Sequence, residues 1–221
     1  ESATAEPRPP VPVTPTVEAF FEASEQHQAP MAEIDEKAPE LRLKFTGFGG
    51  QGILSLGVCV AEAARLEKRF ATWFPSYGPE QRGGSAACSV VISGKPIGSP
   101  SVDHPDVLVC MNQPSYERFV KDVRPGGTVI VDATVPLTAE APKGVRVVSM
   151  PAIDLAIKMG VPKAANTMML AALARLGVTG LKHEHLLTAL DVSFKNKPAL
   201  VEKNRLLLNE AEAWMEKNLP L

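Results

Sequence analysis

From Leu41 onward the chain changes its hydrophobic period several times, and each change marks an element. LRLKFT, Leu41 to Thr46, alternates apolar and polar positions as a strand does. ILSLGVCVAEAARLE, Ile53 to Glu67, has the spacing of a helix, with Gly57 and Ala61 leaving small patches for close packing on a sheet. RFATWF and SAACSVVIS read as two further strands, and SGKP, Ser93 to Pro96, as the turn after the second. DVLVCMN, Asp106 to Asn112, is a continuous apolar run, as in a strand buried on both faces. PSYERFVKDV reads as a short helix, PGGTVIVDATV as a turn and strand, and VRVVSMP as another strand. From Pro151 the pattern is helical: AIDLAIKMG, AANTMMLAALARLG, LKHEHLLTAL and a long segment from Pro198 to Asn218.

Strands alternating with helices predict an α/β fold. The expected architecture is a Rossmann-like, mostly parallel sheet with helices on both faces, and a helical C-terminal tail packed back over one face. The strand pair around Ser93 to Pro96 would add an antiparallel element. Residues 1–40 differ from the rest. They are rich in Pro, Ala and Glu, and prolines at 7, 9, 10, 12 and 15 favour an extended arm. VEAFFEA, Val17 to Ala23, is expected to form one or two helical turns that dock on a neighbour. The expected organisation is an arm or linker over 1–40 and one globular domain over 41–221. The start at Glu1 without Met leaves processing, truncation and membership of a longer polypeptide open, as well as an alternative start at Met31.

Composition narrows the function classes. The 221 residues are 45% hydrophobic and 22% charged, with a formal net charge of -2. That is the make-up of a soluble globular protein, with no field that draws nucleic acid or an anionic membrane. No apolar run is long enough to cross a bilayer, and the N-terminus lacks the layout of a signal peptide. Cys59, Cys88 and Cys110 are too few and too scattered for a disulfide framework or a cluster site. Cys88 and Cys110 fall in strand patterns and are expected to be small buried hydrophobes, in a reducing cytoplasm. His183 and His185, two apart in a helical pattern, point to different faces and are read as solvent-exposed rather than metal ligands.

Two loops carry the chemistry. In KFTGFGGQGIL, Gly47, Gly49 and Gly52 fall on the spacing of a dinucleotide turn between strand and helix, with Gly50 and Gln51 inside it. Such glycines allow a tight turn and bring backbone N–H groups close to a phosphate or another chain. A nicotinamide site also needs an acidic residue at the end of the second strand. Here Glu67 precedes that strand, and Gln51 puts a bulky amide in the turn. Packing alone is the plainer use of the same glycines. The second loop, PSYGPEQRGG from Pro75 to Gly84, is too rich in Gly and Pro for regular structure. It holds Ser76, Tyr77, Glu80 and Arg82 among Gly78, Pro79, Gly83 and Gly84. It follows the second strand and so is expected at the same carboxyl edge of the sheet as the first turn, where open α/β sheets place their sites.

G-x-G-G-Q-G after one strand and S-Y-G-P-E-x-R-G-G after the next resemble the gamma subunit of 2-oxoacid:ferredoxin oxidoreductases. The resemblance extends through I-S-G-K-P-I at Ile92–Ile97, P-D-V-L-V at Pro105–Val109, P-G-G-T-V-I-V-D at Pro125–Asp132, and Asn166 in AANTMML. It does not cover residues 1–40. It implies a non-catalytic part of an enzyme that converts a 2-oxoacid and coenzyme A to acyl-CoA and carbon dioxide, passing electrons to ferredoxin or a similar acceptor. Thiamine diphosphate and Mg2+ are then expected between alpha and beta subunits. The 4Fe–4S clusters are expected in the beta subunit and a ferredoxin-like subunit or domain, and none of these groups in this chain. The turn Gly47–Gly52 and Arg82 would hold coenzyme A phosphates, or both loops, with Asn166, would dock on the catalytic subunits. Within the family, the second loop resembles 2-oxoglutarate and branched-chain enzymes more than pyruvate enzymes, with aryl 2-oxoacids such as phenylglyoxylate or indolepyruvate left open. Against this stand a free-standing Rossmann-like nucleotide- or CoA-binding module and a purely structural scaffold.

Overall fold

A computed structural model of the chain describes residues 34–77, 84–194 and 198–219. Residues 1–33, with the prolines of the expected arm and the helical turns expected of VEAFFEA, and residues 78–83 lie outside them. Six strands form one sheet: β1 Leu41–Phe48, β2 Phe70–Tyr77, β3 Ser85–Ser93, β4 Val107–Cys110, β5 Thr128–Asp132 and β6 Arg146–Met150, in the order β2-β3-β1-β4-β5-β6. β1, β4, β5 and β6 pair in parallel, while β3 runs antiparallel to both β1 and β2. The sheet is mixed, with three parallel pairings and two antiparallel ones, both made by β3. Helix α1, Ile53–Leu66, carries the chain from β1 to β2 in the same direction. β3 then returns from β2 and fills the space between the two.

Two expectations are corrected. Pro75, Ser76 and Tyr77 are not irregular; they extend β2, opposite Cys88, Ala87 and Ala86 of β3. Pro75 is tolerated there because β2 is an edge strand. The segment Ser93–Pro96 is no hairpin turn. β3 ends at Ser93, and the next strand pairs with β1 instead. Gly94 donates its N–H to Ala38 O at 3.2 Å, and a Cβ on Gly94 would lie 2.2 Å from Asp35 O. Glycine is needed there for close passage of two backbones.

The alternation along the strands divides the core in two. Leu43, Phe45, Cys88, Val90, Ile92, Val107, Val109, Ile130 and Met150 face one layer. That layer holds α1, α3 Ala152–Lys158, α4 Ala165–Leu176, α5 His183–Ser193 and α6 Pro198–Asn218. The helical tail thus packs on one face, as expected. Leu108, Cys110, Val129 and Val131 face the other side, which is thinner. Tyr116 of α2 (Gln113–Phe119), Val120, Val123 and Val135 cover it, and Tyr116 donates its hydroxyl to Ala139 O at 2.8 Å. Asn112 caps α2 by accepting the Ser115 N–H at 2.9 Å.

Polar groups tie these layers together. Asp132 is fully buried at the end of β5. It accepts the Thr134 N–H (3.0 Å) and hydroxyl (2.6 Å) at Oδ1, and the Ile153 N–H (2.9 Å) at Oδ2. The histidines are more engaged than their surface reading implied. His185 Nδ1 lies 3.1 Å from Glu67 Oε1, and His183 Nε2 lies 2.6 Å from Glu212 Oε1. Glu67 also pairs with Arg69 at 3.4 Å and accepts the Lys182 N–H. The end of α1, the start of α5 and α6 are joined in this way.

All three cysteines are buried and free. Burial pushes the Cys59 thiol up to about 11, and those of Cys88 and Cys110 up to about 12.

Asp132→Ala is expected to lower stability by about 3 kcal/mol, because a buried charged acceptor serving three donors is lost. Urea denaturation of the two forms checks this. The thiols give a pH signature. Their folded pKa values lie above the unfolded value, so the unfolded chain ionises first and stability falls as pH rises from about 9 toward 11. Lys44, whose pKa burial lowers, acts in the opposite sense as one group against three. At pH 8 the thiols are expected to resist alkylation until the chain unfolds, which mass spectrometry of iodoacetamide-treated protein reads directly.

Candidate functional site at the carboxyl edge

β1 and β2 run in the same direction, so their carboxyl ends meet at one edge, together with the start of β3. This brings Gly47–Gly52, Ser76, Tyr77 and Gly84 to that edge. The two loop regions touch: the Gly49 N–H donates to Gly84 O at 3.0 Å. Gly78, Glu80, Arg82 and Gly83 lie outside the described residues.

The turn is built around Gln51. Its Oε1 accepts the Phe48 N–H at 2.7 Å, and its Nε2 donates to Met111 O at 3.1 Å. The amide therefore spans the tips of β1 and β4, the two neighbouring parallel strands. Their connections leave on opposite faces, α1 to the thick helical layer and α2 to the thin one. Such a switch point opens a crevice where α/β sheets receive ligands. Here an amide of the chain itself bridges it.

The glycines follow from that arrangement. A Cβ on Gly47 would lie 2.7 Å from Gln51 Oε1 and 2.9 Å from Ile53 Cγ1, so only a bare Cα lets the amide lie across β1. Gly52 has φ 75 and ψ 18, a left-handed conformation, and a Cβ there would lie 2.6 Å from the Asn166 amide. Asn166, in the first turn of α4, donates from Nδ2 to Gly52 O at 3.3 Å. The sequence-selected Asn166 thus joins the turn directly, across more than a hundred residues. Gly57 lets α1 pack on β3 and β2, where a Cβ would lie 2.5 Å from Cys88 Sγ and 3.0 Å from Trp73.

Pattern reading did not select Phe48, Met111 or Asn112. Phe48 is exposed at the tip of β1, while Asn112 is buried and its Nδ2 has no hydrogen-bond partner among the described residues. The signal for Asn112 was present: an Asn followed two residues later by Pro at a helix start is a cap signature.

The chemistry open to this edge is limited. Gly47–Gly52, Met111, Asn112 and Asn166 bring no ionisable side chain. Cys88, behind Gly57, is held as a neutral thiol. Among the described residues no group of three or more His, Cys, Asp or Glu side chains comes together as a metal site. None of the described helices is long and apolar enough to cross a membrane. What these described residues offer is hydrogen bonding by backbone and amide groups. Gly52 caps α1 without a side-chain bond, so among the described residues no side chain accepts the first N–H groups of that helix.

Gly52→Ala is expected to cost about 2 kcal/mol or more, from the left-handed backbone and the contact with Asn166. Adding Asn166→Ala should relieve the contact but not the backbone, so the double variant should lose less than the sum of the singles. Thermal denaturation of the three variants measures this coupling.

A family model described as pyruvate ferredoxin/flavodoxin oxidoreductase matches residues 42–214. The chain is 46% identical over 186 residues to the ketoisovalerate oxidoreductase subunit VorA of Methanothermobacter thermautotrophicus, covering 84% of this chain and 38% of that one. It is 41% identical over 137 residues to the 2-oxoglutarate synthase subunit KorC of Methanocaldococcus jannaschii, covering 61% and 73%. The gamma subunit of a keto/oxoacid ferredoxin oxidoreductase from Geobacter sulfurreducens PCA superposes with a TM-score of 0.67 at 28% identity, covering 79% of this chain and 95% of that one. The chain thus spans about two-fifths of the length of the VorA relative. These similarities include a ketoisovalerate and a 2-oxoglutarate enzyme and give 2-oxoglutarate itself no precedence.

Proposed function

The chain belongs to the pyruvate ferredoxin/flavodoxin oxidoreductase family, and we propose that it is the gamma part of a 2-oxoacid oxidoreductase of the CoA-acylating, ferredoxin-linked type. Its role is to support a catalytic core made by alpha and beta parts. Thiamine diphosphate with Mg2+, and the 4Fe–4S clusters, belong in this reading to the partner chains. This chain supplies two joined loops at one sheet edge, which dock on that core. The observation that carries docking over nucleotide binding is the Gln51 amide. It fills the crevice between β1 and β4 and uses the Phe48 N–H that faces it.

The first turn of α1, capped by no side chain among the described residues, supports a second use of the same edge. Its N–H groups, with Arg82 from the second loop, would hold the phosphates of coenzyme A as that cofactor reaches the core. The identity with a ketoisovalerate enzyme favours a branched-chain 2-oxoacid as substrate, with 2-oxoglutarate next. The proposed location is the cytoplasm.

Affinity capture of the tagged chain from its source under anoxic conditions, followed by native mass spectrometry and assay with a panel of 2-oxoacids, tests the reading. Larger thiamine- and iron–sulfur-bearing chains should co-elute, with activity that depends on coenzyme A. A stable, lone chain that binds NADH or coenzyme A by itself would replace this reading with the free-standing module. Within the complex, Arg82→Ala should raise the KM for coenzyme A about tenfold with kcat little changed, the loss of one charge-assisted phosphate contact. An unchanged KM with intact assembly would remove that contact.

A further inference from the structure

Among the described residues, one part of the sheet surface has no helix over it and carries charge only at its border. On β1, Leu43 and Phe45 face the helical layer, so Thr46 and Phe48 face the other side. The register carries that side across the sheet: Phe48 lies opposite Ser85, Thr46 opposite Ala87, Ala87 opposite Ser76, and Ser89 opposite Phe74. Phe48 is 40% exposed and Phe74 48% exposed. Between them lie Ser76 and Ser85, both exposed, and Ala87, half-buried.

These positions are uncharged; the first charge on this side is Lys44, opposite Ser89, whose ammonium lies over the Phe119 ring at 4.5 Å. Elsewhere on this side, Tyr116, Val120 and Val123 cover β4 and β5, but no residue of β2 or β3 joins that cluster. The surface therefore has a flat floor of small side chains with an exposed aromatic ring at either end. Exposed rings around an uncharged centre are the make-up of an interface core, not of a free edge sheet, which proteins protect with charge. The surface also continues into the exposed Gly49 and Gly50 of the glycine turn.

We propose that this face, from Phe74 across Ser76, Ala87 and Ser85 to Phe48, docks the catalytic core of the same oxidoreductase, which presents an uncharged, largely aliphatic surface with recesses for the two rings. The proposal rests on the gamma-part reading above. The choice of occupant follows from the relatives: in VorA this domain is 38% of the polypeptide, so there it is joined to a larger body of protein chain. It also follows from continuity with the glycine turn, whose crevice Gln51 already fills, leaving its outer surface to meet a partner.

The test uses the co-expressed complex, with Phe48→Asp and Phe74→Asp made singly and together. Both side chains are exposed, so the isolated variants should keep their circular dichroism spectrum and Tm. The double variant should lose at least tenfold in co-purified partner, and Phe48→Ala with Phe74→Ala should lose part of it. Leu206→Asp, an exposed apolar position on α6, should leave assembly unchanged. Undiminished assembly of a folded Phe48→Asp/Phe74→Asp variant would overturn the surface while leaving the gamma-part reading in place. Failure of the unaltered chain to bring down any partner would overturn both. If the isolated chain sediments as a dimer that Phe74→Asp splits, the occupant is a second copy and the proposal is wrong.

Discussion

The Gln51 amide, held between the Phe48 N–H and Met111 O, is the contact on which the carboxyl edge depends. It fixes the distance between the tips of β1 and β4. It requires a bare Cα at Gly47, since any side chain there would occupy the place of the amide. It also sets the path of the chain into α1. That path passes through a left-handed Gly52, on which the Asn166 amide rests. One polar side chain thus ties β1, β4, α1 and α4 to a single geometry. A ligand entering the crevice would have to displace it and satisfy both groups that it serves, at the cost of unmaking two hydrogen bonds.

The second determinant is the insertion of β3. A strand running against its two neighbours turns the β2 side of the sheet into an antiparallel half. Its thin side is left without the crossover helix that a parallel pair would bring. The thick layer is closed by the C-terminal helices, whose buried leucines, alanines and methionines join one core cluster with α1 and with the residues of β1 and β4 on that face. The asymmetry places the closed core on one side and the Phe48–Phe74 surface, uncovered among the described residues, on the other. That is the division of labour expected of a part that is rigid in itself and completes its burial against a neighbour.

Much of this was legible in the chain. The apolar run at Val107–Cys110 is a strand buried on both faces, and Ile53–Leu66 is a helix. The order of elements follows the changes of period closely. The glycine turn and Asn166 were singled out, and they touch. The pairing of β3 was not legible, because a strand pattern states which faces are apolar and not which neighbour lies beside it. Pro75–Tyr77 looked irregular because proline opposes a central strand, whereas an edge strand tolerates it. Asn112 and Met111 escaped because their part depends on a strand tip brought to β1 from sixty residues away. The engagement of His185 with Glu67 was hidden for the same reason. Spacing within one helix cannot show which carboxylate another helix presents.

Hydrogen–deuterium exchange of the chain, alone and in the assembled oxidoreductase, tests the central claim most directly. Assembly should slow exchange over Gly47–Gly52 and over the strand ends at Phe74–Tyr77 and Ser85–Ala87. The outer face of α6 should exchange equally in both states. Unchanged exchange at the carboxyl edge on assembly, or protection of that edge by a free nucleotide alone, would contradict the account.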